Sequence, residues 1–281
     1  MQPDIVTKVG NNGNTCIQHG PLNDRVYLMK LDTADLPDIV DEMESLGREN
    51  GYSKLFAKVP AFAAKVFLDR GFAPEANAPG LYRGERSGVF LGKYLNPSRA
   101  EQCDAATIRN VLEIADAKTV IDPDEVDTAS VVALDAEHAE ELAALYDTVF
   151  DSYPFPVDDP AYLRDTMRSH VLFFGIFRRG RLVAASSAEL DTDWGCAEMT
   201  DFATLPEYRK RGAALRLLTA MENAVREKGF VSAYTIARAV SPAMNSVFAR
   251  AGYVFGGTLP NNTNISGGLE SMNVWCKSLA E

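Results

Sequence analysis

The chain has 281 residues, 46% hydrophobic and 24% charged, which suits about two domains with an ordinary buried core. Its net charge of −11 argues against nucleic acid, whose phosphates require basic patches, and would steer a cationic small molecule. The longest apolar runs, such as Val171–Phe177, are strand-length and far below a membrane span, and no basic-then-apolar leader is visible, so a soluble cytoplasmic protein is expected. Cys16, Cys103, Cys196 and Cys276 are scattered without metal-ligand spacing, which predicts reduced thiols and no metal; His19, His138 and His170 lie far apart and read as structural or solvated.

In chain order, the N-terminal half reads as helix, strand and helix over residues 43–72. Residues 98–130 look like a boundary: a helical stretch, Ala105–Ala117, precedes the acidic Asp122-Pro123-Asp124-Glu125-Val126-Asp127-Thr128. That boundary predicts units over 1–125 and 131–281. Beyond it, His138–Phe150 puts Leu142, Leu145, Tyr146 and Val149 on one helical face. Asp159-Pro160 offers a cap and a first-turn proline for a short helix through Arg168. Val171–Phe177 and Leu182–Leu190 read as strands joined at Arg179-Gly180, and a third strand covers Ala197–Leu205. An amphipathic helix carries Ala214, Leu217, Leu218, Met221 and Val225 and ends at Gly229. A strand (Ala233–Ala239), a helix (Ala243–Ala251) and strands around Tyr253–Gly257 and Ser271–Lys277 complete an α+β unit.

The halves echo each other. MESLGRENGY (43–52) matches MENAVREKGF (221–230), and KLFAKVPAFAAKVFLDRGF (54–72) matches TIARAVSPAMNSVFARAGY (235–253). Such long-period similarity suggests two related units.

The segment with chemistry is Arg209-Lys210-Arg211-Gly212-Ala213-Ala214, between a strand and a long helix. Free amides and the positive end of the helix dipole gather there, glycine permits close backbone approach, and the small alanines leave room for a pyrophosphate. In this context residues 131–281 resemble a GNAT acetyltransferase domain, whose fold has a mixed, mostly antiparallel sheet. The resemblance implies acetyl-CoA as co-substrate, its pyrophosphate on Arg209 and the amides of Arg211, Gly212, Ala213 and Ala214. Its pantetheine would run beside the backbone of Phe202, Ala203 and Thr204.

A narrower resemblance rests on Tyr153-Pro154-Phe155-Pro156, AEMTDFATLPEYR (197–209), YTIARA (234–239), MNSVF (244–248), GGTLPNNTNI (256–265) and ESMNVW (270–275), with NDRVYLMKL (23–31) and FAKVP (56–60) in the N-terminal half. These are similar to the β-lysine N-epsilon-acetyltransferase family over nearly the whole chain. The resemblance implies acetylation of β-lysine, supplied by a lysine 2,3-aminomutase, to a compatible solute made under salt stress. GNAT enzymes for polyamines, aminoglycosides or protein lysines, and an acyl-CoA sensor without catalysis, remain alternatives. The region aligned with Arg209–Ala214 is Leu31-Asp32-Thr33-Ala34-Asp35-Leu36, acidic and without glycine, so the N-terminal half is expected to be a degenerate GNAT-like unit.

A lysine-type amine has a pKa near 10.4, so only about one molecule in 2,500 is neutral at pH 7, and a base is needed. Glu198 lies eleven residues before Arg209, the offset of the catalytic glutamate in protein-lysine-acetylating GNATs. Asp201 is the second candidate, although regular alternation sends it to the opposite face unless a bulge re-aims it. Phe248 stands where many GNATs carry a tyrosine acid. Asn245, one turn beyond Ser241, is the candidate pantetheine asparagine. For the substrate, Asp147, Asp151 and Tyr153 are candidate ammonium partners, and Arg238 with Asn261-Asn262-Thr263-Asn264 candidate carboxylate partners; that asparagine-rich stretch otherwise reads as a turn.

Overall fold

The computed structural model describes residues 4–280. Within them thirteen strands form one continuous sheet. The N-terminal strands are β1 (Ile5–Val9), β2 (Thr15–Gly20), β3 (Arg25–Lys30), β4 (Lys54–Pro60), β5 (Ala73–Tyr82) and β6 (Arg86–Tyr94), with helices α1 (Asp38–Glu49) and α2 (Ala64–Leu68). Helix α3 (Ala105–Asp116) leads on to β7 (Val131–Leu134), α4 (Ala139–Val149), α5 (Pro160–Ser169), β8 (Val171–Arg178), β9 (Arg181–Asp191) and β10 (Cys196–Thr204). Then follow α6 (Ala213–Glu227), β11 (Ser232–Arg238), α7 (Pro242–Arg250), β12 (Val254–Ile265) and β13 (Gly268–Ser278).

The sheet order is β1-β2-β3-β4-β6-β5-β12-β13-β11-β10-β9-β8-β7. Outward from the β5–β12 joint, the two halves run in the same pattern. A hairpin (β5–β6, β12–β13) borders an antiparallel strand (β4, β11), which borders a parallel one (β3, β10). The helix–strand–helix echo in the sequence is therefore part of a larger topological repeat, in which the N-terminal half lacks a counterpart of β7. The repeats meet where Gly257 pairs with Ala76. Gly257 has φ +145°, and an added Cβ would lie 2.3 Å from the Glu75 carbonyl, so only glycine lets these edges close.

Local chemistry explains most elements. Asp159 caps α5 by accepting from the Ala161 amide, with Pro160 in the first turn. Arg179 and Gly180 both take positive φ in the β8–β9 turn, as a two-residue hairpin requires. Three regions depart from expectation. β7 is only four residues with two exposed, too short to show a period. β12 and β13 are longer than expected, and the asparagine-rich stretch lies within β12. The 98–130 segment is no loose connection: α3 buries Ile108, Val111 and Ala115, Ala115 joins the C-terminal core, and the Ile121 amide donates to the Arg250 carbonyl.

Strand alternation sorts the faces. In β3 and β4, Val26, Leu28, Leu55, Ala57 and Val59 join the core under α1, while Arg25, Tyr27, Phe56 and Lys58 line a cavity. In β10, Ala197 and Met199 join the core under α6, while Cys196, Glu198 and Thr200 line the same cavity. Both halves thus turn a sheet face to one space, which Tyr162 and Thr166 of α5 also line, beside a shared core that includes Tyr27, Phe56, Tyr82, Phe90 and Tyr234.

Candidate active site

β10 and β11 pair in parallel only over Cys196–Glu198 with Ser232–Tyr234. Beyond those pairs the strands part, while β10 stays bonded to β9 through Ala203 and Thr204. One edge of Phe202, Ala203 and Thr204 is therefore open to an extended ligand segment. At the end of this splay, Gly212 takes a left-handed conformation, φ +76°, and serves as the N-cap of α6. The amides of Ala213, Ala214 and Leu215 have no intrahelical acceptor, because the ladder starts with the Arg216 amide on the Gly212 carbonyl. A Cβ at Gly212 would meet nothing within 4 Å, so the loop mouth is open. Arg209 donates from Nε to the Thr204 carbonyl at 3.0 Å, tying the strand end to the loop, and Arg211 lies over the Tyr208 ring at 5.4 Å.

Between the halves lies a cavity of about 880 Å³. Glu198 faces it from β10, directly across from Glu189 on β9. Tyr234 donates from its hydroxyl to Glu198 Oε2 at 2.7 Å, and Lys58 Nζ donates to that hydroxyl at 2.5 Å. A cation from the N-terminal half is thus relayed through a phenol onto the carboxylate. Burial raises the Glu198 pKa, Lys58 pulls it down and Glu189 pushes it up, leaving it at about 7. Lys58 stays protonated, because burial, which opposes its charge, is outweighed by Tyr27, Glu198 and other surrounding groups.

Asp201 is in the cavity because β10 does bulge: Thr200 pairs with Ser187 and Ala203 with Ala185, so two residues oppose one. Asp201 sits in the bulge at φ +54°. Its two oxygens accept from the Tyr153 and Ser187 hydroxyls. Burial raises its pKa, against the lowering effect of both hydrogen bonds. Phe202 and Phe248 line the cavity beside it, ring centroids 5.6 Å apart and edge to face.

Several expected residues stand elsewhere. Asp147 and Asp151 are exposed and outside the cavity, so the ammonium role expected of them finds no support; of that trio only Tyr153 lines it. Asn245 is fully buried with its amide spent, donating to the Arg238 and Ser241 carbonyls and accepting from Asn273 and Trp275. It braces α7 against β13 and is not free for pantetheine. Arg238 reaches the cavity wall, but Glu270 holds its guanidinium in a two-point ion pair at 2.8 and 2.6 Å, which removes it as an unpaired carboxylate anchor. The Asn261–Asn264 stretch is docked on the N-terminal half: Lys54 donates to the Pro260 carbonyl, Arg99 to the Asn261 carbonyl, and the Asn264 amide to Asn23. Asn262 lines the cavity.

Other lining groups escaped the sequence reading: Arg25, Tyr27 and Lys58 from the N-terminal half, and Glu189 and Tyr234 from the C-terminal one. His170, expected to be structural or solvated, also lines it, its Nε2 3.5 Å from Glu189. Lys54 and Lys58 carried a signal, since charges in KLFAKVP, a strand buried at every position, need a partner or a task. Among the described residues no cluster of His, Cys, Asp or Glu fits a metal, the four cysteines are free, and no helix is long and apolar enough to cross a membrane.

The model of the acetyltransferase (GNAT) family matches residues 141–253. The beta-lysine N(6)-acetyltransferase of Methanococcus maripaludis is 37% identical over 271 residues, covering 96% of this chain and 98% of that protein. The N-acetyltransferase YodP of Bacillus subtilis is 33% identical over 281 residues, 98% of this chain and 100% of the relative. The beta-lysine N(6)-acetyltransferase of Methanosarcina mazei is 40% identical over 141 residues, 50% of this chain and 52% of the relative. With full-length relatives of this kind and the splayed strand pair leading into a phosphate loop, the chain belongs to the GNAT acetyltransferases, in the family of the beta-lysine N(6)-acetyltransferases.

Proposed function

We propose that this protein transfers the acetyl group of acetyl-CoA to the ε-amine of β-lysine, giving N-epsilon-acetyl-β-lysine. The observation that carries the reading is the cavity shared by both halves, where carboxylates (Glu189, Glu198, Asp201) and cations (Arg25, Lys58) line one space of about 880 Å³. A small substrate with both charge types suits such a lining, and two relatives are named for acetylating β-lysine. Walls from both halves suit a free small amine better than a lysine on a folded protein. On the same reading residues 1–125 and 131–281 are two units of one enzyme. A lysine 2,3-aminomutase supplies its substrate in the cytoplasm, and its product is a compatible solute.

In this scheme the amides at Arg211–Ala214 hold the pyrophosphate, and the open edge of Phe202–Thr204 receives the pantetheine. Glu198 takes a proton from the substrate's terminal ammonium as the nitrogen attacks the thioester carbon. The carbon–sulfur bond then breaks, CoA departs as a thiolate, and the acylated nitrogen gives its second proton to that thiolate, leaving the neutral amide. Phe248 offers no proton, and a thiol pKa near 8.5 lets the thiolate leave unassisted. Asp201, held by Tyr153 and Ser187, is the alternative base.

Thiol release from acetyl-CoA with a panel of amines tests this reading. β-Lysine should be turned over with a kcat/KM above that for α-lysine, polyamines and aminoglycosides. CoA binding without turnover of any amine would replace the proposal with a sensor role.

A further inference from the structure

Of the buried cations among the described residues, Lys54 pairs with Glu75 at 2.9 Å and Arg99 with Asp24 at 3.0 Å, while Lys58 reaches Glu198 through the Tyr234 hydroxyl. Arg25 does not follow the pattern. It is 4% exposed, yet its hydrogen bonds among the described residues go to neutral oxygens only: the Asn262 carbonyl, Thr263 Oγ1 at 3.1 Å and Gln18 Oε1 at 3.2 Å. The nearby carboxylate of Asp4 is occupied by the Leu22 and Asn23 amides and the Asn23 side chain. Arg25 Nε has no partner at all. Three of five guanidinium hydrogens are used, so the Nε–H and one Nη2–H remain, on the Nε/Nη2 edge that can grip a carboxylate side-on.

Beside it is an orphan of the opposite kind. Asn262 is 1% exposed, and its Oδ1 accepts from nothing. Both residues line the cavity, and both are fixed, Arg25 by its bonds to β12 and Asn262 by carrying one of those acceptors. The Tyr27 and Phe56 rings lie 5.0 and 5.7 Å from the Arg25 guanidinium, but neither is an anion, and a buried cation without a carboxylate and a buried acceptor without a donor both cost stability that a ligand with a carboxylate and an adjacent ammonium would restore.

We infer that Arg25 and Asn262 together receive the amino-acid end of the substrate, Arg25 taking the carboxylate and Asn262 Oδ1 the β-ammonium. This rests on the β-lysine reading and deepens it, because it brings the N-terminal half, through Arg25, into substrate recognition beside Asn262 of β12. The distal amine then projects three methylenes farther into the cavity that Arg25 and Glu198 both line. Regiochemistry follows from anchoring: the nitrogen beside the carboxylate is held, and the free one is acetylated.

The test compares three amines in the full chain: β-lysine, pentane-1,4-diamine (β-lysine without its carboxyl group) and 6-aminohexanoate (β-lysine without its β-amine). The wild type should prefer β-lysine over each in kcat/KM, by on the order of 10²-fold or more. Arg25→Met should erase most of the preference over the diamine while retaining that over 6-aminohexanoate, and Asn262→Leu should do the reverse. If Arg25→Met does not fold, Arg25→Lys should reduce the same ratio, because an ammonium cannot supply the planar two-point grip. A wild type indifferent to the missing carboxylate, or variants that slow all three amines by one common factor, would overturn the assignment while leaving β-lysine turnover intact. No wild-type turnover of β-lysine would overturn the substrate reading and this assignment together.

Discussion

Glu198 owes its proton affinity to burial and to two neighbours that disagree. Burial and the facing Glu189 favour its acid form, while Lys58, acting through Tyr234, favours the carboxylate, and the balance rests at about 7. The rate should therefore rise with pH through about 7, as the carboxyl loses the proton that blocks it from acting as a base. Glu198→Gln should lower kcat on the order of 10²-fold or more and flatten that limb, with acetyl-CoA binding unchanged. Lys58→Met should move the limb to higher pH, because the lost positive charge had favoured ionisation. Steady-state pH profiles of the three proteins check both expectations. An unaltered profile in Glu198→Gln would pass the role to Asp201. Glu198 was legible from its offset to Arg209 in sequence. Lys58 and Tyr234 were not, because they meet across a separation of 176 positions in the chain.

Elements whose causes are local were read correctly from sequence. The Asp159 cap, the Arg179-Gly180 turn and the apolar stripe of α6 each depend on residues within a few positions of one another. The failures share the opposite property. The asparagine-rich stretch has turn composition but is strand, because N-terminal residues Lys54, Arg99 and Asn23 satisfy its backbone. Asn245 suggested a ligand contact, yet its partners Asn273 and Trp275 sit on a strand some thirty residues away. Local reasoning does carry the loop before α6. Gly212 has a positive φ that aspartate tolerates better than most residues, and open space at its Cβ, so Gly212→Asp should fold. The added charge would sit at the positive end of α6, where a pyrophosphate is expected. Calorimetric titration should find acetyl-CoA binding abolished in a variant with a native circular dichroism spectrum. Near-normal affinity would move the phosphate site elsewhere.

At the scale of the whole molecule, the N-terminal half kept the GNAT strand order and lost the phosphate loop. Its sequence points only to a degenerate unit; the structure makes it one wall of the cavity, with Arg25 and Lys58 in the lining. The joint at Gly257 and Ala76 makes the sheet continuous, so one sheet face of each repeat can close on one space. Nothing in either half alone predicts that closure, since each face reads simply as the polar side of alternating strands. With Arg25 and Asn262 on the substrate's head end, its tail amine is the part left to react. The most direct test is the position of the acetyl group on β-lysine after reaction with carbonyl-labelled acetyl-CoA, read by two-dimensional NMR of the product. Acetyl is expected on the terminal nitrogen alone. Acetyl on the β-nitrogen, or a mixture of both, would overturn the head-end grip.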